Sequence, residues 1–238
     1  MASPEKDFLL NDSIREALAV HMYEEGRFGI AERPEDYITL KSGRQSPHYF
    51  DIRGGLSNPR TRRIVGNAMV RLATARTASL SLADLQSQYA HFVGSPEAMT
   101  SYAATIADLA DMPLLQPRVD RNKKTGNKAP VLGEFRQGDN VAAFDDVVTD
   151  GATKIDMIND LNSFGLVVSE YFVVLDREEG GAIEVKEATG IDILPALGLA
   201  STVSMLRANS LVTQTQFDNV REYMEQYGDP HAVATLAA

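Results

Sequence analysis

A nearly unbroken apolar run, Asn140-Val141-Ala142-Ala143-Phe144, ends in two consecutive carboxylates, Asp145 and Asp146. It then passes through Val147-Val148 into the small-residue turn Thr149-Asp150-Gly151-Ala152-Thr153. Carboxylates at the end of an apolar strand are costly without a partner, so the pair points to a ligand at that end. A turn of this composition can aim several backbone N–H groups and two hydroxyls at one phosphate, and the start of a following helix reinforces it. Two carboxylates beside such a site suit ribose hydroxyls or a hydrated Mg²⁺. The plainer alternative is that Asp145 and Asp146 merely end a strand and Asp150 caps a helix.

Three further segments carry candidate chemistry. Leu40-Lys41-Ser42-Gly43-Arg44-Gln45-Ser46-Pro47-His48-Tyr49-Phe50-Asp51 is a turn rich in hydrogen-bonding residues that leads into a short aromatic strand. Gly94-Ser95-Pro96-Glu97-Ala98 reads by itself as a strand-to-helix turn. Arg118 to Lys128 holds five basic residues, Arg118, Arg121, Lys123, Lys124 and Lys128, against the single acid Asp120. A charge run is ordinarily a solvated face, but the polar stretch from Arg118 to Gly133 is longer than most connections inside a domain, and such loops are often lids.

These residues need elements to hold them. A helix is expected from Asp12, with a capping box at Ser13-Ile14-Arg15-Glu16, with Ile14, Leu18 and Met22 inward, and with a stop at Gly26. Phe28 to Leu40 reads as irregular. A second helix follows Asn58-Pro59 with Ile64, Val65, Ala68, Met69 and Leu72 inward. Ala73 to Gln88 reads as a helix end and surface connection. Ala90 to Val93 is a short strand, and Met99, Tyr102, Ala103, Ile106 and Leu109 give a helix. The run from Asn140 to Val148 reads as a central parallel strand, followed by a helix with Ile155, Ile158 and Leu161 that ends at Gly165. Val167 to Leu175 is another strand, Val203 to Tyr227 is helical, and the last residues are loose. Alternating strands and helices imply an α/β chain with a mostly parallel sheet flanked by helices.

Composition bounds the function. The 238 residues suit one large α/β unit, taken here as a single domain with a small N-terminal hood over about 1–55 and a core over about 56–238. There is no cysteine, so disulfides, thiolate metal sites and thiol catalysis are excluded. The net charge of −10 argues against general adhesion to nucleic acid or an anionic membrane. Glu5, Lys6 and Asp7 precede any apolar run, and the longest uncharged stretch, Ile193 to Leu206, contains Pro195 and Gly198, so neither a secretory signal nor a membrane span is expected. A cytoplasmic protein is the expectation.

The Phe144 to Thr153 segment resembles the phosphoribosyl-diphosphate motif of the type I phosphoribosyltransferases. Leu40 to Asp51 is similar to the Leu-Lys-Ser-Gly-Arg-x-Ser-Pro-x-Tyr-Phe segment of the orotate phosphoribosyltransferases within that family, and Leu175-Asp176-Arg177 is similar to their Asp-Arg turn. The resemblance runs from about Phe28 to Tyr227. It implies the type I phosphoribosyltransferase fold, and an orotate site in which Lys41 and Arg177 neutralise the planar anion while Tyr49 or Phe50 packs on its ring. It implies that Asp145 and Asp146 hold the ribose hydroxyls or metal-bound water, that Thr149, Asp150, Gly151, Ala152 and Thr153 hold the 5′-phosphate, and that Gly94 belongs to the diphosphate loop. Lys123-Lys124-Thr125-Gly126 resembles the family's catalytic loop, which closes over the diphosphate and reaches the neighbouring subunit. Lys123 is then the loop lysine, with Lys124 as the alternative register and Arg118 and Arg121 flanking it. Mg²⁺ as cofactor and a homodimer are implied with it.

The expected activity is therefore transfer of a phosphoribosyl group from 5-phosphoribosyl 1-diphosphate to orotate, in pyrimidine biosynthesis. Two rivals stand beside it. One is a type I transferase for another base, against which the Lys41 to Asp51 segment argues. The other is a catalytically weak sensor that binds phosphoribosyl diphosphate without turnover, sustained by Glu97 and Asp150, which are acidic where an anion should bind, and by Val119-Asp120 in the basic loop.

Overall fold

Asn11, and not Ser13, starts the first helix in the computed structural model, which describes residues 10–40, 42–77, 81–118 and 129–237. Asn11 Oδ1 accepts Ser13 N–H at 2.8 Å, so α1 spans Asp12–Glu24 and the expected Ser13 box does not form. An asparagine one residue upstream of the first helical position is as good a cap as serine, and it leaves Ser13 inside the first turn. Leu18 and Met22 are buried as expected, and Gly26 follows the helix at φ 64°.

The segment read as irregular carries two short strands, β1 (Phe28–Ile30) and β2 (Ile38–Thr39). Strand β3 (Gln45–Ser46) closes a hairpin on β2, and β4 (His48–Phe50) pairs antiparallel with β1. Helix α2 (Pro59–Thr74) starts on the side-chain cap of Asn58, with Pro59 where a missing N–H costs nothing, and buries Val65, Ala68, Met69 and Leu72. The stretch expected to be a surface connection holds a further helix, α3 (Leu82–Gln88), capped by Ser81.

The remaining elements alternate: β5 (His91–Gly94), α4 (Thr100–Ala110), β6 (Leu114–Pro117), β7 (Val131–Leu132), β8 (Asn140–Val148), α5 (Ala152–Ser163), β9 (Val167–Asp176), α6 (Gly181–Thr189) and β10 (Ile193–Gly198). Three helices close the described chain, α7 (Leu199–Ala208), α8 (Gln214–Tyr227) and α9 (Pro230–Ala237). Four expectations need correction. The helical region from Val203 is two helices, and the tail read as loose is α9, which buries Ala232 and Leu236. Leu109, expected inward, is 39% exposed. Part of the long loop, Val131–Leu132, pairs with β6. Strand β10 lay hidden because Pro195 interrupts its pattern, and as an edge strand it tolerates a residue that cannot donate on one side.

One sheet runs β10-β9-β8-β5-β6-β7, parallel except for β7 at the end. Alternate residues of β8 and β9 serve two cores. Ala142, Phe144, Phe172 and Val174 face helices α1, α2, α4 and α7. Val141, Ala143, Tyr171 and Val173 face Met157, Ile158 and Leu161 of α5 and Val185 of α6. Both faces are thus covered, as a parallel sheet requires. From β5 the chain winds one way to β6, and from β8 the other way to β9 and β10. Their carboxyl ends therefore diverge around a crevice, the place where open α/β sheets bind ligands. Among the described residues no helix is long and apolar enough to cross a membrane.

Candidate active site

The turn after β8 is built at that crevice. Gly151 sits at φ 75°, and a Cβ there would lie 2.7 Å from the Gly181 carbonyl oxygen, so only glycine lets the turn close on the start of α6. The α5 ladder begins at once, with Lys154 N and Ile155 N both donating to Gly151 O. Thr149, Asp150, Ala152 and Thr153 are thereby grouped around a helix start, the arrangement a phosphate needs. Asp150 also behaves as the plainer alternative held: its Oδ1 accepts Ala152 N–H at 3.2 Å.

The neighbouring carboxylates divide. Asp145 is 4% exposed and saturated: Oδ1 accepts Asp146 N–H at 2.8 Å, while Oδ2 meets Lys154 Nζ at 2.7 Å and the Tyr171 hydroxyl at 3.1 Å. Asp146 is more open and accepts Val147 N–H at 2.7 Å. Burial, and then the adjacent Asp145 charge, push the Asp146 carboxyl up to about 6 against the opposing pull of Lys154. The Tyr171 hydroxyl is held well above its usual range by burial and by Asp145. Lys154 escaped the sequence reading, although a signal was present: it shares the buried stripe of α5 with Met157, Ile158 and Leu161, and a lysine in such a stripe requires a partner.

Across the crevice, Gly94 ends β5 where a Cβ would press on Ala103 and on the Met99 carbonyl, and Ser95 N donates to Phe144 O at 2.8 Å. Glu97 of this loop is exposed, whereas Ala98 and Met99 are buried. Ala98 and Met99 are therefore packing residues.

Arg177, at the end of β9, is 9% exposed. It pairs with Glu179 at 2.8 Å, and its Nη2 donates to Ser46 Oγ at 3.4 Å and to the Tyr223 hydroxyl at 3.3 Å. Glu179 also holds Arg44 at 2.7 Å, and Arg44 lies over the Tyr227 ring. Between the β2–β3 hairpin and α8 lies a cavity of about 580 Å³ lined by Tyr37, Arg44, Tyr223 and Tyr227 among others. The Tyr49 hydroxyl donates to Gly26 O and the ring stays 40% exposed, while Phe50 turns to the core beside Phe28. His48, buried against Tyr223, is held well below its usual range by burial and the Arg177 charge. Arg118 leaves β6 with its Nε donating to Ala129 O at 2.9 Å. Lys41, Arg121, Lys123 and Lys124 lie outside the described residues.

For Mg²⁺, no cluster of three or more His, Cys, Asp or Glu side chains among the described residues could hold an ion. The half-open Asp146 beside a phosphate turn instead fits an ion that keeps several waters and leans on one carboxylate and on substrate phosphates.

No protein-family model matches the chain. An orotate phosphoribosyltransferase of Pyrococcus furiosus is 30% identical over 159 residues, covering 67% of this chain and 81% of that protein. The uridine 5′-monophosphate synthase of Caenorhabditis elegans is 27% identical over 213 residues, 89% of this chain but 39% of that protein. Among solved structures, the UMP synthase of Leishmania donovani superposes with a TM-score of 0.72 at 27% identity, over 91% of this chain and 43% of that one. The chain thus spans about two-fifths of the synthases it matches.

Proposed function

The chain belongs to the orotate phosphoribosyltransferase family, and from that premise we propose that it transfers the phosphoribosyl group of 5-phosphoribosyl 1-diphosphate to orotate, yielding orotidine 5′-monophosphate and diphosphate in pyrimidine biosynthesis. The carrying observation is the Thr149 to Thr153 turn, closed by Gly151 at the carboxyl end of β8, with Asp146 half-buried beside it.

In this reading the backbone N–H groups of the turn, with Thr149 and Thr153, take the 5′-phosphate, and Asp146 with Asp145 behind it orients the ribose hydroxyls. Arg177, with Lys41, neutralises orotate, and the open ring of Tyr49 is better placed than the core-facing Phe50 to cover the base. As the bond from ribose C1 to the diphosphate oxygen breaks, the electron pair leaves with diphosphate, and orotate N1 forms the new bond while its proton passes to the departing diphosphate or to solvent. Positive charge then builds on C1 and negative charge on the leaving group. Lys123, or Lys124 in the other register, meets the negative charge from the loop, with Arg118 and Arg121 flanking it. Asp146, with Asp145 behind it, would hold a hydrated Mg²⁺ through water, and the ion would supply further charge neutralisation at the diphosphate. A lid closing over these groups excludes water and limits hydrolysis.

The same proposal includes a homodimer, since the lid of the family it resembles reaches a neighbouring subunit, and a cytoplasmic location, which suits two polar anionic substrates. A second reading, binding of phosphoribosyl diphosphate without turnover, is favoured by one observation: the Asp150 carboxylate occupies the Ala152 N–H that a phosphate would use. Incubation with Mg²⁺ and phosphoribosyl diphosphate, followed by orotate absorbance, separates the readings. Loss of orotate is expected. Consumption of a different base, or binding with no base consumed, would replace the proposal with one of its rivals.

A further inference from the structure

The two aspartates of the site are unlike in what surrounds them, and α5 is the reason. Lys154 in its first turn reaches back to Asp145 Oδ2 at 2.7 Å, and the two side chains are 8% and 5% exposed. Tyr171 from β9 donates to the same oxygen, and the Asp146 N–H fills Oδ1. The Asp145 carboxylate therefore has a cation, a hydroxyl and an amide already in place, while Asp146 remains half-buried at the crevice. The Lys154 ammonium is also 3.3 Å from Thr153 Oγ1, so it stands beside the phosphate turn as well as behind the aspartate.

We propose that Lys154 divides the acidic pair: it fixes Asp145 as one half of a neutral ion pair, leaves Asp146 as the sole carboxylate for the ribose hydroxyls, and spares the phosphate turn a second uncompensated negative charge. The inference rests on the phosphoribosyl-diphosphate reading above and refines it, since that reading uses both carboxylates. Lys154 is a positioning residue, and Asp145 becomes one with it. The physical basis is asymmetric. Removing one partner of a buried ion pair leaves an unpaired charge and is costly, whereas removing both charges together can be nearly neutral. Here the stranded Asp145 carboxylate would also face a polyanionic ligand.

The test is calorimetric titration of phosphoribosyl diphosphate, with MgCl₂ present, into the full chain and four variants, each first shown to melt cooperatively. The orotate KM is measured alongside. Lys154→Met is expected to bind at least about tenfold more weakly, Lys154→Arg to stay within about threefold of the parent, and the double variant Asp145→Asn with Lys154→Met to recover to within about threefold. Asp146→Asn should lose about tenfold or more, because its role has no substitute. The orotate KM should move little in Lys154→Met, which separates a local charge effect from general loosening of the fold. Should Lys154→Met fail to fold, the double variant decides. Binding near that of the parent supports the division, and a loss matching Asp146→Asn overturns it, as does parental affinity in a folded Lys154→Met. If the parent itself does not bind the sugar diphosphate, the proposed function falls and the inference with it. If the parent binds and the double variant stays as weak as Lys154→Met, only the division falls.

Discussion

Asp146 is held in a state that costs stability. Its carboxyl is pushed up to about 6 by burial and by Asp145, whereas in the unfolded chain it would titrate near 3.8. Between those values the folded chain holds the proton more tightly, so the folded state loses ground as pH rises through the window and carries the full cost above it. At one pKa unit to 1.36 kcal/mol, that cost is at most about 3 kcal/mol. Asp146→Asn should therefore melt several degrees higher than the parent near pH 8, with the gap closing towards pH 4, even as it binds the sugar diphosphate more weakly. Melting curves across that range check it, and a gap that widens on acidification would contradict the assigned cause. The adjacency of the two aspartates was plain in the sequence because neighbours in a strand are neighbours in the chain. Their unequal surroundings were not, because Tyr171 lies on β9 and only the sheet brings it to Asp145.

Elements long enough to show a period were legible, and short ones were not. Strand β8 and helices α2 and α5 fall close to where their apolar spacing placed them. Strands β1 to β4, of two or three residues each, offer too few positions for alternation to register, so the segment around Tyr49 and Phe50 reads only as a turn and a strand. The candidate orotate site suffers most from this, since Arg177 is completed by elements far apart in sequence: Ser46 from β3 and Tyr223 from α8. The Tyr223 hydroxyl accepts from Arg177 and donates to Glu179 Oε1 at 3.2 Å, and so fixes the guanidinium against the carboxylate that, in the proposed reading, orotate would have to compete with. Tyr223→Phe keeps the ring against His48 and removes only those two bonds. A hydrogen bond to a charged group contributes about 1.5–3 kcal/mol, and part of that loss will be absorbed by the remaining partners, so the orotate KM should rise roughly three- to tenfold. The KM for phosphoribosyl diphosphate should not move. An unchanged orotate KM would remove α8 from the site.

At the scale of the whole molecule, the two ends of the chain hold one another. Gln216 Nε2 donates to Ile30 O at 2.7 Å, Asn219 Nδ2 donates to Ala31 O and Glu32 O, both at 3.1 Å, and Asp229 N donates to the carbonyl of Glu178. Helices α8 and α9 also bury Val220, Tyr223, Met224, Ala232 and Leu236 in the core that α1 and α2 share. A tail that composition alone makes look loose is thus part of the central packing, a fact invisible until the sheet sets the helices beside one another. Full burial of a large apolar side chain contributes about 1.5–3 kcal/mol, so the four larger of these side chains together supply on the order of 10 kcal/mol. The whole of a domain's stability is about 5–15 kcal/mol. Deleting residues 213–238 should therefore abolish cooperative unfolding, leaving no thermal transition by circular dichroism and a core open to proteolysis. A truncated chain that melts sharply, and binds phosphoribosyl diphosphate as tightly as the full one, would show instead that the sheet and its first helices suffice and that the terminal helices serve the orotate site alone.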